Sequence, residues 1–121
     1  QKRIERKKHS MHNFGYGLGI RLCDKKTFEY FDEKNIPLTA FITNPSEVIN
    51  EYRRKGKIKC GIHPNFMPDS SQGSSYDEVI DYCFKLLPDA KCFRAHRYYD
   101  VNDTMDRLTK RGILYDLMSV H

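Results

Sequence analysis

Apolar residues recur along this chain in short runs, separated by longer stretches with helical spacing. Tyr16–Cys23, Leu38–Thr43, Lys57–Ile62, Ala90–Phe93 and Ile113–Met118 are short, bounded by turn residues and rich in apolar side chains, so each is predicted as a strand. Between the first two, a helix is expected from Asp24, as N-cap, through Lys34, with Phe28 and Phe31 turned inward and Asn35 in the turn that follows. Ser46 is placed to cap a second helix, with Val48, Ile49 and Tyr52 on one side and Gly56 as its stop. Ser75-Tyr76-Asp77-Glu78 has the form of a capping box, and Tyr76, Val79, Ile80, Cys83, Phe84 and Leu87 then make an apolar stripe. A last helix is expected over Asp103–Arg111, stopped by Gly112.

Strand then helix throughout implies parallel strands joined by helical crossovers. Five strands do not close a barrel, so the expected sheet is open or part of a larger barrel. In parallel α/β folds the strand exits are where sites are built. Here the exits carry Asp24, Asn44, His63, Arg94 with His96, and Ser119 with His121. The polar segment from Asn65 to Ser74 is long for a connection between compact elements, and long loops beside a histidine are often functional.

Composition narrows this picture. A chain of 121 residues suits one domain. Its formal charge is +5, concentrated in residues 1–9 and in Arg53, Arg54, Lys55 and Lys57. Residues 1–15 are therefore expected as a basic tail and 16–121 as the folded domain. Such runs can bind polyanions, but without interleaved aromatic residues a nucleic-acid partner is disfavoured against a solvated tail and a helix end. No segment is long and apolar enough to be read as a membrane span, and no leader is visible. The four cysteines form no CxxC pair and several sit among apolar residues, so reduced core thiols in a cytoplasmic protein are expected.

Pro64 pushes His63 away from helical backbone and stands it at the exit of its strand. His96 occupies the matching place one strand later. Two such imidazoles can share a zinc or similar ion, which needs about three protein ligands and an open position; each can equally be a hydrogen-bonded loop histidine. Arg94 suits a carboxylate, of substrate or protein, or an ordinary ion pair. Asp24 can be ligand, base or helix cap. Asn65 can orient a substrate or close an Asx turn, and Asn44 is the polar residue at its own strand exit.

Gly61-Ile62-His63-Pro64-Asn65-Phe66, the Ser-Gln-Gly loop at Ser71–Gly73, the helix Tyr76-Asp77-Glu78-Val79-Ile80-Asp81-Tyr82 and Phe93-Arg94-Ala95-His96 resemble the WbmS-like branch of the NodB-type polysaccharide deacetylases. Leu38-Thr39-Ala40-Phe41-Ile42-Thr43 is similar to that family's second strand. The resemblance spans roughly Leu18 to Met118. It implies an incomplete (β/α) barrel of the NodB-like deacetylase type, cut short relative to the family. It also implies a divalent metal, with Zn²⁺ favoured over Co²⁺, Ni²⁺ or Mn²⁺. The implied reaction is hydrolysis of N- or O-acetyl groups on a carbohydrate, in assembly of surface polysaccharide. On this basis His63 and His96 are the expected metal ligands, Asp24 and Arg94 the catalytic residues, and Asn44 and Asn65 substrate contacts. The family's first-strand acid pair has no counterpart in Leu18–Cys23, and Met67 stands where a second histidine commonly follows His63. The alternative is thus a catalytically silent domain that binds a glycan or supports a larger enzyme.

Overall fold

The computed structural model of the chain describes residues 5–8, 16–19, 25–96 and 102–118. Among these, the strands are β1 (Glu5–Lys8), β2 (Tyr16–Gly19), β3 (Leu38–Ile42), β4 (Lys59–Ile62), β5 (Cys92–Phe93) and β6 (Tyr115–Met118). The helices are α1 (Lys25–Glu33), α2 (Glu47–Arg54), α3 (Tyr76–Leu86) and α4 (Asn102–Lys110). One sheet holds all six strands in the order β1-β6-β5-β4-β3-β2, and every pairing is parallel. From β2 onward each neighbour in the sheet is the next strand in the chain, until β1 returns beside β6. This is the strand order of a (β/α) barrel opened between β1 and β2.

Packing supports the same assignment. On one face, Leu38, Ala40, Ile42, Ile62 and Phe93 share a core with Phe28 of α1, Ile49 of α2, Val79, Ile80, Cys83 and Phe84 of α3 and Leu108 of α4. On the other lies a much smaller cluster, Phe41, Cys92 and Leu117, flanked by Tyr115. A doubly wound sheet would carry helices on both faces; the described helices all pack on one. All five residues of β3 are buried, as a strand covered on both sides requires. The chain therefore folds as the incomplete (β/α) barrel that its family resemblance implies, which settles the choice the alternating elements left open.

The sequence expectations differ from the structure in two places. Glu5–Lys8, expected within a basic tail, forms an edge strand in register with Tyr115–Met118. It contains no apolar residue, so hydrophobic periodicity could not reveal it, and charged residues are common on sheet edges. The sheet accordingly has six described strands, not five. The strands predicted over Lys57–Ile62, Ala90–Phe93 and Ile113–Met118 are also shorter than expected, their paired residues starting at Lys59, Cys92 and Tyr115.

Local signals elsewhere hold. Ser46 Oγ accepts from Ile49 N at 3.3 Å and Ser75 Oγ from Glu78 N at 3.2 Å. Asn35 takes up the left-handed conformation with φ 54°, and Gly56 and Gly112 do so at the ends of α2 and α4. The Glu78 carboxylate closes its box one residue early, accepting from Ser74 N at 2.7 Å and Ser74 Oγ at 2.8 Å. The basic run after α2 is partly neutralised in place. Arg53 pairs with Asp89, Lys55 with Glu51 and Lys57 with Asp32, which weakens it further as a polyanion surface.

Gly61 fixes the spacing of β4 and β5. A Cβ there would lie 2.8 Å from Cys92 Sγ, 3.0 Å from Cys92 O and 3.1 Å from Phe41 Cε1. Backbone atoms cannot yield as a flexible side chain does, so Gly61→Ala is expected to cost about 1–3 kcal/mol of stability, read from the denaturant midpoint. An unchanged midpoint would show that the two strands are not packed this closely.

Candidate functional site

The site begins where β4 and β5 end. Arg94 N–H donates to Ile62 O at 3.1 Å and His96 N–H to Pro64 O at 2.8 Å, so parallel pairing continues past both strands into the exit segments. The consequence is geometric. His63 and His96 come together with ring centroids 5.8 Å apart, at 87° to one another.

Burial shapes the chemistry of His63. It holds the imidazole below its ordinary pKa of 6.5, the charges of His96 and Arg94 act in the same direction, and a backbone hydrogen bond with Arg94 opposes them. His63 Nδ1 is enclosed and has no hydrogen-bond partner among the described residues. A neutral ring with an uncommitted nitrogen is the form that ligates metal.

Arg94 is fixed beside the pair. Its guanidinium lies 4.5 Å from the centre of the Phe41 ring, and its Nε donates to Leu117 O at 3.3 Å. The stacked, half-buried cation is thereby anchored to β3 and β6.

Below the histidines the loop is clamped by Gln72. Its Nε2 donates to His63 O at 3.1 Å, and its Oε1 accepts from Asn65 N at 2.8 Å. Cys83 Sγ of α3 lies 3.6 Å from the same oxygen. A single amide thus ties the strand exit, the turn after it and the helix beyond. In the sequence Gln72 is only the middle residue of the Ser-Gln-Gly loop. A polar residue in a polar loop carries no signal of its own until the fold brings three partners to it.

The other candidates fall differently. Asn65 Oδ1 accepts from Met67 N at 3.1 Å, which makes it the Asx-turn residue of the exit loop. Asn44 is exposed at the exit of β3 and donates to Thr43 Oγ1 at 3.2 Å. Asp24, Ser119 and His121 lie outside the described residues.

Among the described residues no group of three or more His, Cys, Asp or Glu gathers to hold a metal ion. Two imidazoles do converge, however. With Zn–N bonds of about 2.0–2.1 Å, two rings sharing one ion have centres roughly 5–6 Å apart, which matches the observed separation. Two imidazoles at this separation have the chemistry of a zinc donor pair and fill at most two positions of a coordination sphere, the remainder falling to groups beyond the described residues. Cys60, Cys83 and Cys92 are free thiols and do not enter it. Burial pushes Cys83 up to about 12 and Cys60 and Cys92 up to about 11, far from thiolate at neutral pH.

A family model described as WbmS-like polysaccharide deacetylase matches residues 22–121. No curated protein matches the chain. Among solved structures, a candidate polysaccharide deacetylase of O-antigen biosynthesis from Bordetella bronchiseptica aligns with TM-score 0.72 and 21% identity, over 83% of this chain and 44% of that one. A CE4 family pseudoenzyme from Bacillus anthracis aligns with TM-score 0.57 and 10% identity, over 93% of this chain and 46% of that one. At these identities the two structures speak for the fold, and the chain spans less than half the length of either.

Two expectations follow from the site. Gln72→Ala leaves the His63 carbonyl and the Asn65 N–H without their partner, and should cost about 1–3 kcal/mol in chemical denaturation; no loss would show that the clamp is not formed. In the metal-free chain the unfolded state takes up a proton on His63 before the folded state does. Stability contributed by the neutral ring is therefore present above pH 6.5 and lost as pH falls through that value. A denaturation midpoint that drops between about pH 8 and about pH 5, with a shallower drop in His63→Gln, is the expected result; equal slopes would contradict it.

Proposed function

The chain belongs to the WbmS-like polysaccharide deacetylase family, and from that premise we propose that it hydrolyses an acetyl group from a sugar in a surface-polysaccharide precursor, with the help of a divalent metal ion. The observation that carries this reading is the convergence of His63 and His96 at adjacent strand exits. The residues would divide the work as follows. His63 and His96 would hold the ion, with a third ligand from Asp24 or from a group beyond this chain. Bound there, such an ion supplies Lewis acidity toward the acyl carbonyl. Gln72 keeps the His63 backbone in place, and the stacked Arg94 supplies a fixed positive charge that can orient a carboxylate or stabilise developing negative charge. Where the third ligand comes from beyond this chain, Asp24 takes the proton-accepting role instead, and Asn44 and Asn65 border the substrate.

Zinc is the favoured ion for two imidazoles and an oxygen donor. No described helix is long and apolar enough to cross a membrane. The free thiols at Cys60, Cys83 and Cys92 suit a reducing compartment, which supports the cytoplasmic setting expected from the sequence.

A second reading is a glycan-binding domain without catalysis. It is favoured by one specific observation, the lack of a third ligand among the described residues.

Calorimetric titration with Zn²⁺ and assay of acetate release from N-acetylated sugars separate the two. The proposal expects His63→Ala to weaken Zn²⁺ binding by roughly tenfold or more, a loss of about 1.4 kcal/mol or above. It also expects acetate release that needs the ion and disappears in His96→Ala. Unchanged affinity in His63→Ala would refute the metal site, and glycan binding with no acetate release would favour the silent domain.

A further inference from the structure

Beside the histidine loop, between the start of α3 and the flank of α4, lies a cavity of about 680 Å³ lined by Phe66, Met67, Tyr76, Asp77, Val79 and Arg107 among others. It lies within the size range of small-molecule sites, roughly 300–1,000 Å³, and has their usual character of an apolar wall with few polar groups.

The Tyr76 ring is held in place there. It meets Phe66 edge-on at 5.6 Å and 81°, and the Arg107 guanidinium lies 6.0 Å from its centroid. Arg107 also faces two carboxylates, Asp77 with Nε to Oδ1 at 3.2 Å and Asp103 with Nη1 to Oδ1 at 3.4 Å. The first is an ion pair too poorly aligned to count as a hydrogen bond. Within the lining Arg107 and Asp77 balance, and Asp103 outside it engages the same cation, so the wall offers a phosphate, uronate or nucleotide ligand no free counter-charge. An aromatic face beside alternating acceptors and donors suits the apolar face and hydroxyl rim of a neutral sugar ring.

The cavity is also joined to the site. Phe66 and Met67 follow His63 by three and four residues in one loop, so the backbone path from the histidine to the near wall is at most about 11 Å.

We propose that this cavity is a distal subsite for a neutral sugar residue of the glycan, seated on Tyr76 and hydrogen-bonded by Asp77 and Arg107, while a neighbouring residue presents its acyl group to the histidines. The proposal deepens the deacetylase reading and rests on it for the identity of the chain's ligand. It makes the domain selective for oligosaccharides over single sugars and for neutral glycans over acidic ones.

The test is binding of the full 121-residue chain to an array of neutral, uronic-acid and phosphorylated glycans, followed by titration of the bound glycans in mono-, di- and trisaccharide form. Affinity should rise with length. Tyr76→Ala should cut trisaccharide binding by about tenfold, the loss of one aromatic contact, and the exposed Asp77→Ala should weaken it while leaving the circular dichroism spectrum unchanged. Preference for acidic glycans, no glycan bound, or trisaccharide affinity unchanged in both Tyr76→Ala and Asp77→Ala would overturn the subsite. Tyr76-dependent binding without acetate release would uphold it while refuting the deacetylase reading, whereas acetate release with the same KM in wild type and Asp77→Ala would refute only the subsite.

Discussion

Two backbone hydrogen bonds beyond the ends of β4 and β5 determine what the rest of this fold can do. Arg94 N–H to Ile62 O and His96 N–H to Pro64 O continue the parallel pairing past the last regular residues. Without them His63 and His96 would stand on independent loops. With them, two imidazoles face one another across a fixed gap at the edge where (β/α) folds assemble their sites. Pro64 contributes twice. It breaks the strand so that His63 stands at the exit, and its carbonyl, unaffected by the missing N–H, accepts the bond that brings His96 in.

The surrounding residues serve that juxtaposition. Gly61 lets β5 approach β4 closely enough for the pairing to continue, since any side chain would meet the Cys92 backbone and Phe41. Gln72 ties the exit to the turn at Asn65 and reaches toward Cys83 on α3, so the loop is seated on the helix core instead of floating above it. Phe41 on the other face supports Arg94. The site is thus assembled by both faces of the sheet, and its two histidines are positioned mainly by main-chain contacts.

Much of this was legible in the residues. The strand-helix alternation, the Ser46 and Ser75 caps, the turn at Asn35 and the histidines at two strand exits all follow from local chemistry that one sequence displays. What was not legible depended on long-range partners. Glu5–Lys8 is a strand because Tyr115–Met118 offers it an edge, and nothing within its four charged residues says so. Gln72 matters because three groups converge on it. The same distinction divides Asn65, whose local Asx turn was foreseen as an alternative, from the Tyr76–Arg107 wall, which forms only when α3 and α4 pack together.

The central claim is that His63 and His96 act on one bound ion. X-ray absorption at the zinc edge of the loaded protein addresses it directly. Two imidazole ligands at about 2.0–2.1 Å, with oxygen donors completing the sphere and one imidazole lost in either His63→Ala or His96→Ala, is the predicted result. A spectrum with no imidazole scattering, or one unaltered by both substitutions, would contradict it.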